Sequence, residues 1–227
     1  MFVPRSFRTG ALALLLLFIS SGQALAQKTD RIQLPVLGLK TNLLSLLGPE
    51  LPTANLSAEL KLSNQFTAQL EGGWLLPAST GMSAAETSRH RGYRVQPSIR
   101  FYYEEAGTRF FLEALYRYQS ANLDIAGDWR YAPEGQLAYN RRIVYDGSLQ
   151  RQGLYLSFGI RFATVGKFFF EGSAGLGRVW RKEKYFGYPE DAFFITNGSP
   201  YFNPQTVDGD RSRVGGLLSL ALGYALF

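Results

Sequence analysis

Much of the chain alternates apolar and polar residues with a period of two. In ANLSAELKL, starting at Ala54, the positions Ala54, Leu56, Ala58, Leu60 and Leu62 are apolar and Asn55, Ser57, Glu59 and Lys61 are polar. FTAQLEGGWL sets Phe66, Ala68, Leu70, Gly72 and Trp74 against Thr67, Gln69, Glu71 and Gly73. YRVQPSIRFYY from Tyr93, FFLEALYRYQ from Phe110, GLYLSFGIRF from Gly153 and FFFEGSAGLG from Phe168 repeat the pattern. Successive side chains of a strand point to opposite faces, so this period predicts strands with one apolar and one polar face. Few of these windows carry apolar residues at helical spacing, and their density of Tyr and Phe favours strand. With Val36–Leu44 at the start and Val214–Phe227 at the end, the pattern predicts eight strands.

The connections alternate in length. Those near 63–65, 104–108 and 163–167 are short, the one at 45–53 is modest, and 77–92, 120–150 and 181–212 are long and polar. A soluble barrel or sandwich would turn its apolar face inward. Three features favour the opposite arrangement. Short turns on one side and long loops on the other are the habit of outer-membrane barrels. Aromatics gather near strand ends, among them Trp74, Tyr93, Tyr102, Tyr103, Tyr116, Tyr118, Phe168 and Trp180, as interfacial girdles require. The last strand, LLSLALGYALF, is apolar to its end and must pair with the first to leave no open edge. Leu218, Leu220, Leu222, Tyr224 and Leu226 then face lipid, while Phe227 falls on the inner register. The expected fold is all-β: an eight-stranded antiparallel transmembrane up-and-down barrel with short periplasmic turns and long extracellular loops.

Residues 1–26 place Arg5 and Arg8 before an apolar run from Ala11 to Ile19 and the triplet Ala24-Leu25-Ala26. This is the layout of a cleaved export signal, too short in its apolar part to span a bilayer that needs roughly 20 residues. Residues 27–227 then form one barrel domain, and the expected location is the outer membrane. Removing the signal takes two of the 24 Lys and Arg and none of the 18 Asp and Glu, leaving a scattered excess of about +4 that does not point to nucleic acid. The chain has no cysteine, which excludes a disulfide framework, a thiol nucleophile, thiolate metal sites and a lipidated cysteine.

The polar faces collect Lys40, Glu59, Lys61, Glu71, Arg94, Arg100, Glu113, Arg117, Arg161 and Glu171. Charges of both signs turned toward one lumen are costly unless paired, so the expectation is a salt-bridge network that fills the bore. An eight-stranded barrel has an interior just wide enough for side chains, so no open channel follows. Catalysis has thin support: His90 is the only histidine, in ETSRHRG with Ser88 and Glu86 nearby, and a loop residue flanked by Arg89 and Arg91 lacks the fixed geometry that a general base needs. No metal site or cofactor is expected from one His and no Cys. GSAGLG at 172–177 is not followed by Gly-Lys-Ser/Thr, and small residues at a crowded barrel wall explain it better than a phosphate loop. In the long loops, Trp129, Tyr131, Tyr185 and Tyr188 interleave with Arg141, Arg142, Lys182 and Lys184 as a candidate surface for glycan, lipopolysaccharide phosphate or a protein partner. The alternative for these loops is that the strands run on as paired hairpins and the aromatics pack on one another.

LKTNLLSLL at 39–47 and PTANLSAELKLSNQFTAQLEGGW at 52–74 resemble the opening strands of small Bacteroidetes-type outer-membrane barrels of uncharacterised function, through Lys40, Thr41, Asn42, Leu43 and Leu44 and then Asn55, Leu56 and Glu59. The resemblance implies an OmpA/OmpX-like barrel and brings no catalytic residues. A C-terminal aromatic is similar to the insertion signal read by the barrel assembly machinery, which makes that machinery an expected partner during biogenesis, beside outer-membrane lipid and lipopolysaccharide. The function expected from all of this is non-enzymatic, structural or surface-interacting. The rivals are a membrane-embedded lipid A-modifying hydrolase using His90 and a soluble periplasmic barrel that holds a small ligand.

Overall fold

The computed structural model describes residues 35–47, 52–76, 86–105, 108–132, 134, 137–163, 166–189, 192–195 and 209–226. The expected export signal at 1–26 and Phe227 lie outside the described residues. Within them are nine strands: β1 Leu37–Asn42, β2 Thr53–Lys61, β3 Phe66–Leu75, β4 Glu86–Glu105, β5 Thr108–Tyr131, β6 Tyr139–Ala163, β7 Phe168–Phe186, β8 Ala192–Phe194 and β9 Gly209–Ala225. A short 3-10 helix, Leu43–Leu47, follows β1 where strand was expected to continue to Leu44.

The nine strands make one antiparallel, barrel-like sheet. β1 to β7 pair in sequence, except that β9 rather than β8 lies beside β7, and β9 returns to β1 to close the ring. The expectation of eight strands is corrected by β8. It pairs with β5 through Trp129↔Phe194, Arg130↔Phe193 and Tyr131↔Ala192, in line with β4 and beyond its end, so it stands outside the eight-membered closure. Three residues are too few to show a period of two, which is why the segment reads as loop.

The closure has a fixed stagger. Stepping through paired residues from Ala225 of β9 leads to Gly38, Glu59, Gln69, Ser98, Leu115, Tyr155, Gly177 and back to β9 at Gly215, ten residues from the start. Eight strands with this stagger tilt by about 40° and leave a radius of about 8 Å, which side chains fill.

The direction of each face shows along β5. Arg109, Phe111, Glu113, Leu115, Gln119, Ala121, Leu123, Ile125 and Trp129 are buried, so one face looks inward along the whole strand. The outward positions change chemistry part way, from Phe110, Leu112, Ala114, Tyr116 and Tyr118 to Ser120, Asn122, Asp124, Ala126 and Asp128. The inward positions change in the opposite sense, from charged Arg109 and Glu113 to apolar Leu123, Ile125 and Trp129. On β6 the outward set passes from Phe158, Leu156 and Leu154 to Gln152, Gln150 and Ser148, and the switches on the two strands meet at Tyr116↔Leu154 and Tyr118↔Gln152. On β7 it passes from Leu176 to Arg178.

Below this level the ring wears an apolar belt whose members are exposed, for example Leu70 and Leu156, each 57% exposed. Aromatics mark both edges: Trp74, Tyr93 and Tyr118 above, and Phe66, Phe101, Phe168 and Tyr224 below, with ring pairs Phe66–Phe101 at 5.2 Å, Tyr93–Tyr118 at 6.0 Å and Phe168–Tyr224 at 5.0 Å. From Phe66 to Trp74 on β3, the belt rises about 20 Å at this tilt.

The same inversion corrects the expected loops. Sequence predicts polar loops at 77–92, 120–150 and 181–212, whereas β4 begins at Glu86, β5 runs to Tyr131, β6 begins at Tyr139, β7 runs to Phe186 and β9 begins at Gly209. These extensions build a cap above the belt. There the apolar face is the inner one, so the alternation that identifies the lower strands changes sign and reads as mixed polarity. His90, expected in a loop, lies in β4 with its backbone opposite Leu123.

Candidate functional site

The lower bore holds eight of the ten charges expected to line it, all buried: Lys40, Glu59, Glu71, Arg94, Arg100, Glu113, Arg161 and Glu171. Strand alternation puts each on the inner face, and the stagger of the ring brings residues distant in sequence to one level. Glu171 is the hub. It meets the Lys40 ammonium at 3.1 Å, Arg100 Nη1 at 2.7 Å and Arg161 Nε at 2.6 Å. Glu59 accepts from Arg161, from the Tyr102 hydroxyl at 2.7 Å and from Thr67 Oγ1 at 2.8 Å, and stands 3.1 Å from Lys40. Arg100 Nε donates to Glu113 at 2.9 Å, whose other oxygen accepts from Ser157 at 3.1 Å. Higher up, Arg94 donates to Glu71 at 2.7 Å, and Asn55 and Ser57 also reach that carboxylate.

The buried cations and anions balance in sign, so the cost of removing each charge from water is offset by partners on several sides. Aromatic faces complete the packing: Arg100 lies 4.3 Å from the Phe111 ring centre and Arg161 4.3 Å from that of Phe169. Among these side chains a cavity of about 10 Å³ remains for the centre of a water molecule. That is on the order of one water and not a path for a hydrated ion.

The other two expected members sit at the margins. Arg117 is half-buried, donates to Gln96 at 2.9 Å and lies over the Tyr155 ring at 5.4 Å. Lys61 is half-buried at the lower end of β2 opposite Thr67, where the bore opens and demands no partner. Tyr102 corrects an expectation: grouped by position with the girdle, it is 2% exposed and hydrogen-bonds inside the network. Its parity with Arg94 and Arg100 on β4 was the available signal. Gln69, which accepts from Lys40 at 2.5 Å, and Ser157 were also legible by parity, but neutral polar residues do not announce themselves as charges do.

The aromatic surface expected in the loops is divided by the cap. Trp129, Tyr145, Leu123, Ile125, Leu149 and Leu75 form a buried core, with Tyr131, Tyr185 and Tyr188 packed against it. Tyr188 stacks on Trp129 at 5.9 Å and 11°. β7 ends beside β6, whereas β8 pairs with the far edge of β5, and Tyr188, just after β7, covers Trp129 of β5. These aromatics are core, not docking surface, because the extended hairpins need an apolar interior of their own. Burial pushes the Tyr145 phenol up, and pushes that of Tyr185 up to about 12. Arg141, Arg142, Lys182 and Lys184 are exposed. Among the described residues no three His, Cys, Asp or Glu gather as a metal site.

Comparison with the curated proteins and with the solved structures gave no match. A family model does match, over residues 12–207, which is most of the chain and takes in the charge network and seven of the eight closing strands, all but β9. By that match the chain belongs to DUF3575, a protein family of unknown function.

Proposed function

We propose that this chain is an outer-membrane β-barrel of eight closing strands, non-enzymatic, with a structural or surface-interaction role. The single observation that carries the reading is the exchange of polarity between the two faces at one level of the ring, along strands that run through it without a break. Lipid below and water above account for it. In hydrocarbon the outer face must be apolar and the bore can be polar, while a cap in water must reverse the two. The belt height of about 20 Å and its aromatic edges fit the hydrocarbon thickness and interfaces of an outer membrane. Closure of the ring supports it too, since every strand edge at belt level must be satisfied within the protein.

The charge network then serves as a plug that braces the ring, and the cap is the part that meets the surroundings. Its tip exposes Tyr139, Val144 and Phe193, the last at 68%, beside Arg141 and Arg142, which suits contact with another surface. The test is cell fractionation with gel analysis of unheated and heated samples. A band that is confined to the outer membrane and shifts on heating supports the reading. Recovery from the soluble periplasm, with no shift, overturns it and favours a carrier of small ligands.

A further inference from the structure

We propose that the outward face of β7 binds the phosphates of a phosphorylated glycolipid in the outer leaflet. The inference rests on the membrane reading and names a partner for it. Along the outward positions of β7 the residues run Leu176, Arg178, Trp180, Lys182 and Lys184, all exposed. The change from hydrocarbon-compatible to cationic therefore takes place within two residues, at the level where the belt ends. Lys182 stands four positions beyond Arg178, about 10 Å higher along the barrel axis, so the cations occupy the layer directly above acyl chains. Glycolipid phosphates lie in that layer.

Neighbouring residues of β9 border the patch. Val214 of β9, opposite Arg178, is 78% exposed and continues the belt, with Ser212 opposite Trp180 and Asp210 opposite Lys182 above it on the same register. Arg178 Nη2 donates to Ser212 Oγ at 2.9 Å, which fixes the guanidinium on the exposed wall. A guanidinium held in this way suits a phosphate, because its planar fork of donors matches two phosphate oxygens. Trp180, 42% exposed between Arg178 and Lys182, is the residue type that anchors at headgroup depth. The patch is one-sided. The outward face of β5 at comparable height carries Ser120, Asn122, Asp124 and Asp128 instead, so general solvation does not explain the cations on β7.

The experiment compares the full chain with the variant R178Q/K182Q/K184Q, both in neutral detergent, by native mass spectrometry after adding lipid A, the bisphosphorylated glycolipid, or its dephosphorylated form. K167Q, altered in the exposed turn at the opposite end of the ring, is the control. The expected result is retention of bisphosphorylated lipid A by the parent chain and the control, weakened roughly a hundredfold in the triple variant, with no retention of the dephosphorylated form. Retention falls as salt is raised. Equal retention by parent and triple variant overturns the inference, as does inorganic pyrophosphate displacing lipid A at equal concentration, which would mark the patch as a site for soluble polyanions. A triple variant that keeps its heat-dependent gel shift yet binds lipid A like the parent sinks this inference alone. Loss of the shift and of outer-membrane location in the parent chain sinks the membrane reading beneath it.

Discussion

Glu59 of β2 and Arg161 of β6 form an ion pair across the bore, from strands four places apart in a closing ring of eight. Each is 1% exposed, and Tyr102 of β4 bridges them, donating to Glu59 at 2.7 Å and accepting from Arg161 at 2.7 Å. Opposite walls are thus tied through the centre, with Lys40 also facing Glu59 and Glu171 also facing Arg161 to complete the compensation for leaving water. Replacing Arg161 with Met takes one cation from two buried carboxylates, Glu59 and Glu171, and is expected to cost about 3–5 kcal/mol. E59Q/R161M should cost less than the sum of its single variants, because the second change removes a charge the first left unpaired. Urea titration of the folded barrel followed by tryptophan fluorescence measures this, and strictly additive costs would contradict the coupling.

Glycine makes room for inward aromatics. A Cβ on Gly223 would lie 2.2 Å from Phe169 Cζ and 2.9 Å from Lys40 Cγ, both side-chain atoms. Gly223→Ala is expected to destabilise by about 1–3 kcal/mol through overpacking. F169L in the same chain should return a good part of that loss, and the temperature of the gel shift reports both. A Gly223→Ala chain as stable as the parent would mean that the ring moves aside without cost.

The cap should loosen independently of the belt. Tyr188 contributes a stacked ring on Trp129, so Tyr188→Ala removes about 0.5–1.5 kcal/mol of aromatic contact beyond the lost apolar area. Protease is expected to cut the variant in the cap near Gly187, beside the lost ring, while the heat-dependent shift persists. Unchanged resistance to cleavage would deny Tyr188 its covering role.

The cap also has an alkaline limit. Tyr185, above the apolar belt, has its phenol pushed up to about 12 by burial, and it donates to Glu183 at 2.9 Å. The folded cap therefore keeps a proton that the unfolded chain releases near the ordinary phenol value of about 10. The stabilisation is complete below pH 10 and is lost as pH rises from there through about 12. Tyrosinate absorbance should show one late-titrating phenol fewer in Tyr185→Phe than in the parent chain, where Tyr145 is also held up by burial. If all phenols titrate together near pH 10, Tyr185 is not sheltered.

On the outer wall, Leu70 lies near mid-belt and is 57% exposed. Leu70→Arg is expected to cost about 2–4 kcal/mol in a lipid bilayer, where its charge meets hydrocarbon. A chain that folds in water would tolerate the change nearly without cost, since an exposed Leu would merely become an exposed Arg. Folding equilibria of the variant in vesicles of a short-chain phosphatidylcholine decide between the two.

The charges of the lower bore were legible because one rule serves the whole belt. Apolar residues alternate with polar ones, so Glu59, Glu71, Arg100, Glu113, Arg161 and Glu171 could be assigned to one face before any pairing was known. The cap was not legible by the same rule. Its strands keep the period but exchange the chemistry of the two faces, and Leu123, Ile125 and Trp129 are core residues that read as fragments of a polar loop. β8 left no signal at all, since its place on β5 depends on where the chain crosses the cap.

By itself the sequence determined the all-β class, the faces of the lower strands and the set of charges in the bore, because alternation along a strand is a local property set by backbone geometry. Only the tertiary structure decided the ten-residue stagger, the pairing of Glu59 with Arg161 and of Glu171 with Lys40, the cap core under Tyr188 and the short strand β8. These depend on which strands become neighbours and at what register. That choice is made by closure of the whole ring, and no stretch of residues carries it alone.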